Sequence, residues 1–238
     1  MRRTFAILAL LAAGLAAQPA VSGDAAPVML GDAEHRAWRA IGRVNVAGFD
    51  AAGTCTGTLI TPDTVLTAAH CLHALRGRNA RPGQVHFVAG WHRDGFAAVR
   101  TARAIRLHPG YVHGKRPDSK TLQGDLALIL LSGPIPSDEV RPIPLALPET
   151  VGPKVDVIGY RRDRLNALSR HANCPVAVES AGLLGLGCTV TQGTSGAPVL
   201  IRTAQGWRVV GVVSAGVSGA GPIRTAAARP TAAFLRGE

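Results

Sequence analysis

Thr67-Ala68-Ala69-His70-Cys71 decides how this chain is read, because two runs further along complete it: Gly124-Asp125-Leu126-Ala127 and Gly193-Thr194-Ser195-Gly196-Ala197-Pro198. Together they offer a base, an orienting acid and a nucleophile. A serine hydroxyl is a poor nucleophile at neutral pH, so it needs an imidazole to take its proton and a carboxylate to hold that imidazole in one tautomer. Taken singly, each motif has an ordinary structural use. His70 could sit in a barrel wall, Asp125 could cap a strand, and the glycines beside Ser195 could serve a turn of positive φ. The order His, Asp, Ser gives the three a joint meaning.

Around these motifs, short apolar or alternating runs recur between turn residues. They lie at 41–46, 56–60, 85–89, 97–105 and 126–131, then at 155–158, 183–186, 198–201 and 209–214. Such spacing, with many Gly and Pro, predicts an all-β barrel or sandwich rather than alternating helix and strand. Pro134, Pro136, Pro142, Pro144, Pro148 and Pro153 forbid a continuous central strand through 133–152, which reads as a crossing between two halves. His70 and Asp125 precede that crossing and Ser195 follows it. A short helix is expected at 230–235.

The three motifs resemble those of the chymotrypsin-like (trypsin-fold) serine proteases, especially the secreted bacterial branch that includes the glutamyl endopeptidases. The resemblance runs from about residue 41 to about residue 216. It implies an all-β chain of two antiparallel β-barrels with the active site in the cleft between them: a lead-in and first barrel over 24–145, a second barrel over 146–238. It also implies a catalytic set of His70, Asp125 and Ser195, with the backbone amides of Gly193 and Ser195 forming the oxyanion hole. Thr189, Ser214 and Gly216 fall where the family binds substrate. The reaction implied is peptide-bond hydrolysis through an acyl-enzyme, with protein or peptide substrates and no cofactor or metal. The competing reading is a catalytically silent, protease-like binding module that kept the barrels.

The resemblance also carries departures. Thr189 stands where trypsin-like members place a pocket carboxylate, and Val213 where glutamyl members place a histidine. Neither strong charge preference is supported, so a neutral or apolar side chain at the cleavage site is expected. Thr194 stands where chymotrypsin-type zymogens carry a carboxylate that pairs with a newly cut amine. No Ile-Val-Gly-Gly start occurs around 26–41. The oxyanion loop is therefore expected to be held by its own backbone bonds, with no second cleavage needed.

Two other serine-hydrolase orders fail on this sequence. The α/β-hydrolase elbow needs a histidine after its serine, and none follows His171. A subtilisin-like order could use Asp63, but that residue sits in a Thr-Pro-Asp-Thr turn.

At 238 residues with 47% apolar content the chain can bury a sizeable core. Arg2 and Arg3 followed by an apolar run over 4–17 read as a secretory leader over 1–23, cut after Ala17, Ala20 or Gly23. Secreted or periplasmic placement follows, with no membrane anchor. Four cysteines in an exported chain favour two disulfides with three possible pairings. The resemblance selects Cys55 with Cys71, leaving Cys174 with Cys188. Each closes a loop of about 15 residues, stabilising by roughly 3 kcal/mol. His70, Cys71 and His73 match no standard zinc spacing. A net charge of +11 is dispersed and aromatics are only 4%, so no specific nucleic-acid site is expected. The cluster Arg161-Arg162-Asp163-Arg164 reads as a solvated loop, and the protein as a monomer.

Overall fold

The computed structural model describes residues 26–46, 54–73, 78–93, 95–114, 117–147 and 150–237. The leader expected at 1–23 lies outside the described residues, as does Pro148. A lead-in of strand β1 (Val28–Met29) and helix α1 (Asp32–Ala37) precedes the first barrel. That barrel comprises β2 (Ile41–Val46), β3 (Thr54–Thr61), β4 (Thr64–Thr67), β5 (Val85–Ala89), β6 (Ala98–Leu107) and β7 (Ala127–Leu131), with the short helix α2 (Ser119–Gln123) before β7. Its strands close in the order β2-β3-β4-β7-β6-β5.

The second barrel holds β8 (Lys154–Arg161), β9 (Arg164–Glu179), β10 (Leu183–Leu186), β11 (Pro198–Thr203), β12 (Gly206–Gly216) and β13 (Thr225–Ala228), followed by α3 (Ala232–Arg236). Strand β8 pairs with both β9 and β11, which closes the ring, while β1 adds to the outside of β9. The chain is thus all-β, two six-stranded antiparallel barrels.

Packing follows the residue pattern. Ile41, Leu59, Leu66, Phe87 and Ile129 fill the first barrel, and Val155, Val157, Leu184, Val199 and Val213 the second. Each such side chain contributes about 1.5–3 kcal/mol by leaving water, and a one-residue slip of register would turn a whole inner set outward. The proline-rich crossing is strapped to both barrels. Ile143 N donates to Leu59 O at 3.0 Å, then Ala146 N donates to Val209 O at 2.9 Å. The two halves of the site are joined by this short, pinned segment.

Several elements escaped the sequence pattern. Strand β9 is polar along much of its length and contains Pro175, yet it is the longest strand, because it has neighbours on both sides. Strand β13 reads Thr-Ala-Ala-Ala, a helix-favouring composition, but all four residues are buried between β10 and β12. Tertiary pairing overrides local propensity there. The arginine cluster at 161–164 is a turn exposed at 162–164, as expected, and departs from a plain solvated loop only in its ties. Arg161 pairs with Arg164 across the β8–β9 turn, the Arg161 side chain is largely covered, and Arg162 N is bonded to the loop beside Ser195.

Candidate active site

Strand β4 ends at Thr67, after which buried Ala68 and Ala69 lead into a single 3-10 turn, Ala69–Leu72. The Cys55–Cys71 disulfide ties that turn to β3. Asp125 sits just before β7 with 5% of its surface exposed. Its Oδ1 accepts the His70 N–H at 2.9 Å, and its Oδ2 accepts His70 Nδ1 at 2.7 Å. Ser214 Oγ donates a third bond to the same Oδ2.

This selects one tautomer of the neutral ring. Nδ1 of His70 donates to a carboxylate, so Nε2 is left with the lone pair that a base needs. Burial alone would raise the Asp125 carboxyl, but the hydrogen bonds and charge of His70 and the Ser214 hydroxyl outweigh it. The carboxyl is held below its ordinary range and stays ionised.

Ser195 lies on the loop between β10 and β11, half-buried, with buried neighbours on both sides. Its carbonyl accepts Thr56 N–H at 2.8 Å, and Gly196 N–H donates to Val213 O at 2.8 Å. One contact reaches the residue next to Cys55; the other reaches the residue next to Ser214. The loop is thereby fastened beside both members of the His70–Asp125 pair. Among the described residues no hydrogen bond joins Ser195 Oγ to His70, whose Nε2 lies 3.8 Å from Cys71 Sγ. Gly193 has φ of +93° and Gly196 of +81°, and a Cβ on Gly196 would come within 2.1 Å of Thr56 O. Neither position tolerates a side chain. Among the described residues, the Gly193 and Ser195 amides donate to no protein acceptor.

Ser214 interrupts the pairing of β12. The register against β13 shifts between Val213 and Ala215, so Ser214 is the bulged residue. A Cβ on Gly216 would meet Val190 O at 3.8 Å, which sets the β12 end opposite the 189–190 segment. Thr189 is exposed and lines a small cavity with Val190 and Thr194. A cleft of about 270 Å³ opens beside His70, Asp125 and Ser214, walled by Tyr111, Val112 and Leu122. Burial and the Asp125 charge push the Tyr111 phenol up to about 12, so it stays neutral, its hydroxyl hydrogen-bonded with His73 Nε2 at 2.9 Å. The larger cavity, about 640 Å³, opens elsewhere over the Arg229–Glu179 ion pair.

Both disulfides form the pairs that the resemblance implied, Cys55–Cys71 and Cys174–Cys188. Ligand atoms of Cys55, His70 and Cys71 lie within 4.8 Å of one another, but the two sulfurs are bonded together and offer no thiolate. Sequence reasoning missed Thr56, Tyr111 and the Ser214–Asp125 bond. Only Ser214 carried a signal, its place in Gly211-Val212-Val213-Ser214-Ala215-Gly216.

The family model described as Trypsin matches residues 30–236. This chain belongs to the trypsin family. Coagulation factor XII of Rattus norvegicus is 34% identical over 113 residues, 44% of this chain and 17% of the relative. Granzyme M of Homo sapiens is 40% identical over 96 residues, 40% of this chain and 32% of the relative. The matches thus span well under half the length of these relatives. Among solved structures, a Glu endopeptidase in complex with MPD is similar with a TM-score of 0.71 at 21% identity, covering 90% of this chain and 95% of that one. That likeness is one of fold.

Proposed function

We propose that this trypsin-family protein is a secreted serine endopeptidase whose catalytic set is His70, Asp125 and Ser195. The observation that carries the reading is the Asp125 carboxylate, which takes both the His70 backbone N–H and Nδ1 while the Ser195 loop is fastened alongside. In the first step Ser195 Oγ bonds to the scissile carbonyl carbon and its proton passes to His70 Nε2. The oxygen anion so formed accepts from the Gly193 and Ser195 amides, and losing one such donor typically costs about 3 kcal/mol in the transition state. The intermediate collapses as His70 gives its proton to the departing amine. Water, deprotonated by His70, then attacks the acyl carbon, and the acid leaves with Ser195 restored.

Peptides would lie along Ser214–Gly216, with the side chain before the cut reaching toward Thr189. A neutral or apolar residue there is favoured, because neither Thr189 nor Val213 offers a charge. The division at 145/146, export and a monomeric state belong to the same reading. The missing Ser195–His70 hydrogen bond is what a silent binding module would also display, although such bonds are commonly long before substrate arrives.

The deciding experiment incubates the purified protein with unfolded protein substrates and maps the cut sites. Cuts after neutral residues, abolished by Ser195→Ala, are expected. Intact substrate, bound equally by both forms, would instead establish the silent module.

A further inference from the structure

Building on the serine-protease reading, we propose that Thr56, on β3 of the first barrel, is the positioning residue that holds the oxyanion loop in working shape, so that no newly cut amine is needed. Thr56 is wholly buried and every polar group it has is engaged with the surroundings of Ser195. Its N–H donates to Ser195 O at 2.8 Å, and its hydroxyl donates to Gly193 O at 2.8 Å. The same hydroxyl accepts Tyr160 N–H at 3.1 Å, and its carbonyl accepts Thr67 Oγ1 at 2.8 Å.

The geometry of trans peptides turns these contacts into aimed amides, because the N–H of each peptide points opposite its C=O. Gln192 O is held by Arg162 N–H at 2.7 Å, so the Gly193 N–H of that peptide faces away from the β8–β9 turn. Thr194 O is held by Ala197 N–H at 2.9 Å, so the Ser195 N–H faces away from β11. Between and beyond them lie the peptides whose carbonyls, Gly193 O and Ser195 O, are the two that Thr56 grips. Without the Thr56 hydroxyl, Gly193 O and Tyr160 N–H both lose a buried partner, and a loop with two positive-φ glycines has freedom to turn.

An ammonium has no place to act instead. The lead-in does reach the back of the loop, where Pro27 shares a small cavity with Thr189, Thr194, Arg161 and His171. Among its described lining residues there is no carboxylate, and the one guanidinium, Arg161, already pairs with Asp163, so a buried amine would lack a counter-ion. Thr194 Oγ1 is already committed as a donor to Tyr160 O at 3.2 Å. The loop is therefore not held by its own backbone bonds alone, as the sequence led one to expect; a hydroxyl from the other barrel does the holding.

The test uses the chain from Asp24 carrying a short uncleavable extension, in wild-type, Thr56→Val, Thr56→Ser and Thr67→Val forms. Thr67→Val removes a neighbouring buried hydroxyl that does not touch Gly193, and so controls for general loosening. Thr56→Val is expected to lower kcat by about 10²–10³, the loss typical of one oxyanion donor, with KM little changed. Thr56→Ser is expected to recover most of that loss, and the extended wild-type chain to titrate one active serine per molecule. In the Ser195→Ala background, crystals of Thr56→Val should show the 193–195 peptides turned, and those of Thr67→Val should not. Equal kcat losses in Thr56→Val and Thr67→Val, unaltered peptides, or titration only after trimming at a unique site would overturn the proposal. A wild-type chain that titrates no serine in any form would sink the protease reading, while the crystals would still decide the role of Thr56.

Discussion

The first barrel presents His70 on a turn gripped by a disulfide at the very next residue and by an ionised carboxylate, whereas the second presents Ser195 on a loop whose disulfide, at Cys188, lies seven residues away and whose 192–197 segment is gripped by hydrogen bonds. The difference shows in how each half can fail. Covalent and ionic restraints keep His70 in place even if neighbours loosen, since charge-assisted bonds are roughly twice as strong as neutral ones. The 192–197 segment depends more on several hydrogen bonds acting together, two of them from Thr56 in the opposite barrel. Seating the loop and seating the barrels on each other are therefore one event.

Four changes separate the two halves, in falling order of effect. Asp125→Asn should depress kcat by about four orders of magnitude, because the amide favours the wrong His70 tautomer while the geometry survives. Steady-state hydrolysis reads this, and a loss below about tenfold would remove Asp125 from its role.

Breaking either disulfide should lower stability by about 3 kcal/mol, since the sequence separations of 16 and 14 close loops of nearly equal length. Chemical denaturation would measure it. Activity should part them: Cys55→Ser with Cys71→Ser frees the His70 turn and lowers kcat at temperatures where the fold persists. Cys174→Ser with Cys188→Ser frees the chain next to Thr189, seven residues from Ser195, and should raise KM while lowering kcat less.

Acid should loosen the lead-in side of the first barrel. Burial, with help from His92, pushes the His35 imidazole down from 6.5 to about 4. Below pH 6.5 the unfolded chain binds a proton that the folded chain refuses until about pH 4, so stability falls as pH drops through that window. The loss is on the order of 2 kcal/mol, and His35→Leu should flatten the profile measured on the Ser195→Ala form. An unchanged slope would contradict a neutral buried His35.

Thr194→Val should have the smallest effect. It removes one neutral bond to Tyr160 O, worth about 1 kcal/mol, and leaves the Thr56 contacts intact. A larger kinetic loss than Thr56→Val would reverse the order of importance within the loop.

The sequence made the His70–Asp125 half readable because each member sits in a short run of fixed chemistry, a histidine beside a cysteine and a carboxylate before a strand, even though the two stand 55 positions apart. The barrels were readable where apolar runs were short and bounded by turns. Strands β9 and β13 were not, since their pairing partners decide them and their side chains do not. Thr56 lies between Cys55 and Gly57 with nothing local to mark it, and its partners stand 137 and 104 positions away. A contact across that separation has no short-range signature.

Ser195 is the proposed nucleophile. Incubating the full chain with a fluorophosphonate and locating the adduct by mass spectrometry tests it most directly. One adduct per molecule on Ser195, absent in Ser195→Ala and strongly slowed in Asp125→Asn, is the expected result. Peptide hydrolysis by a chain whose Ser195 stays unmodified would contradict it.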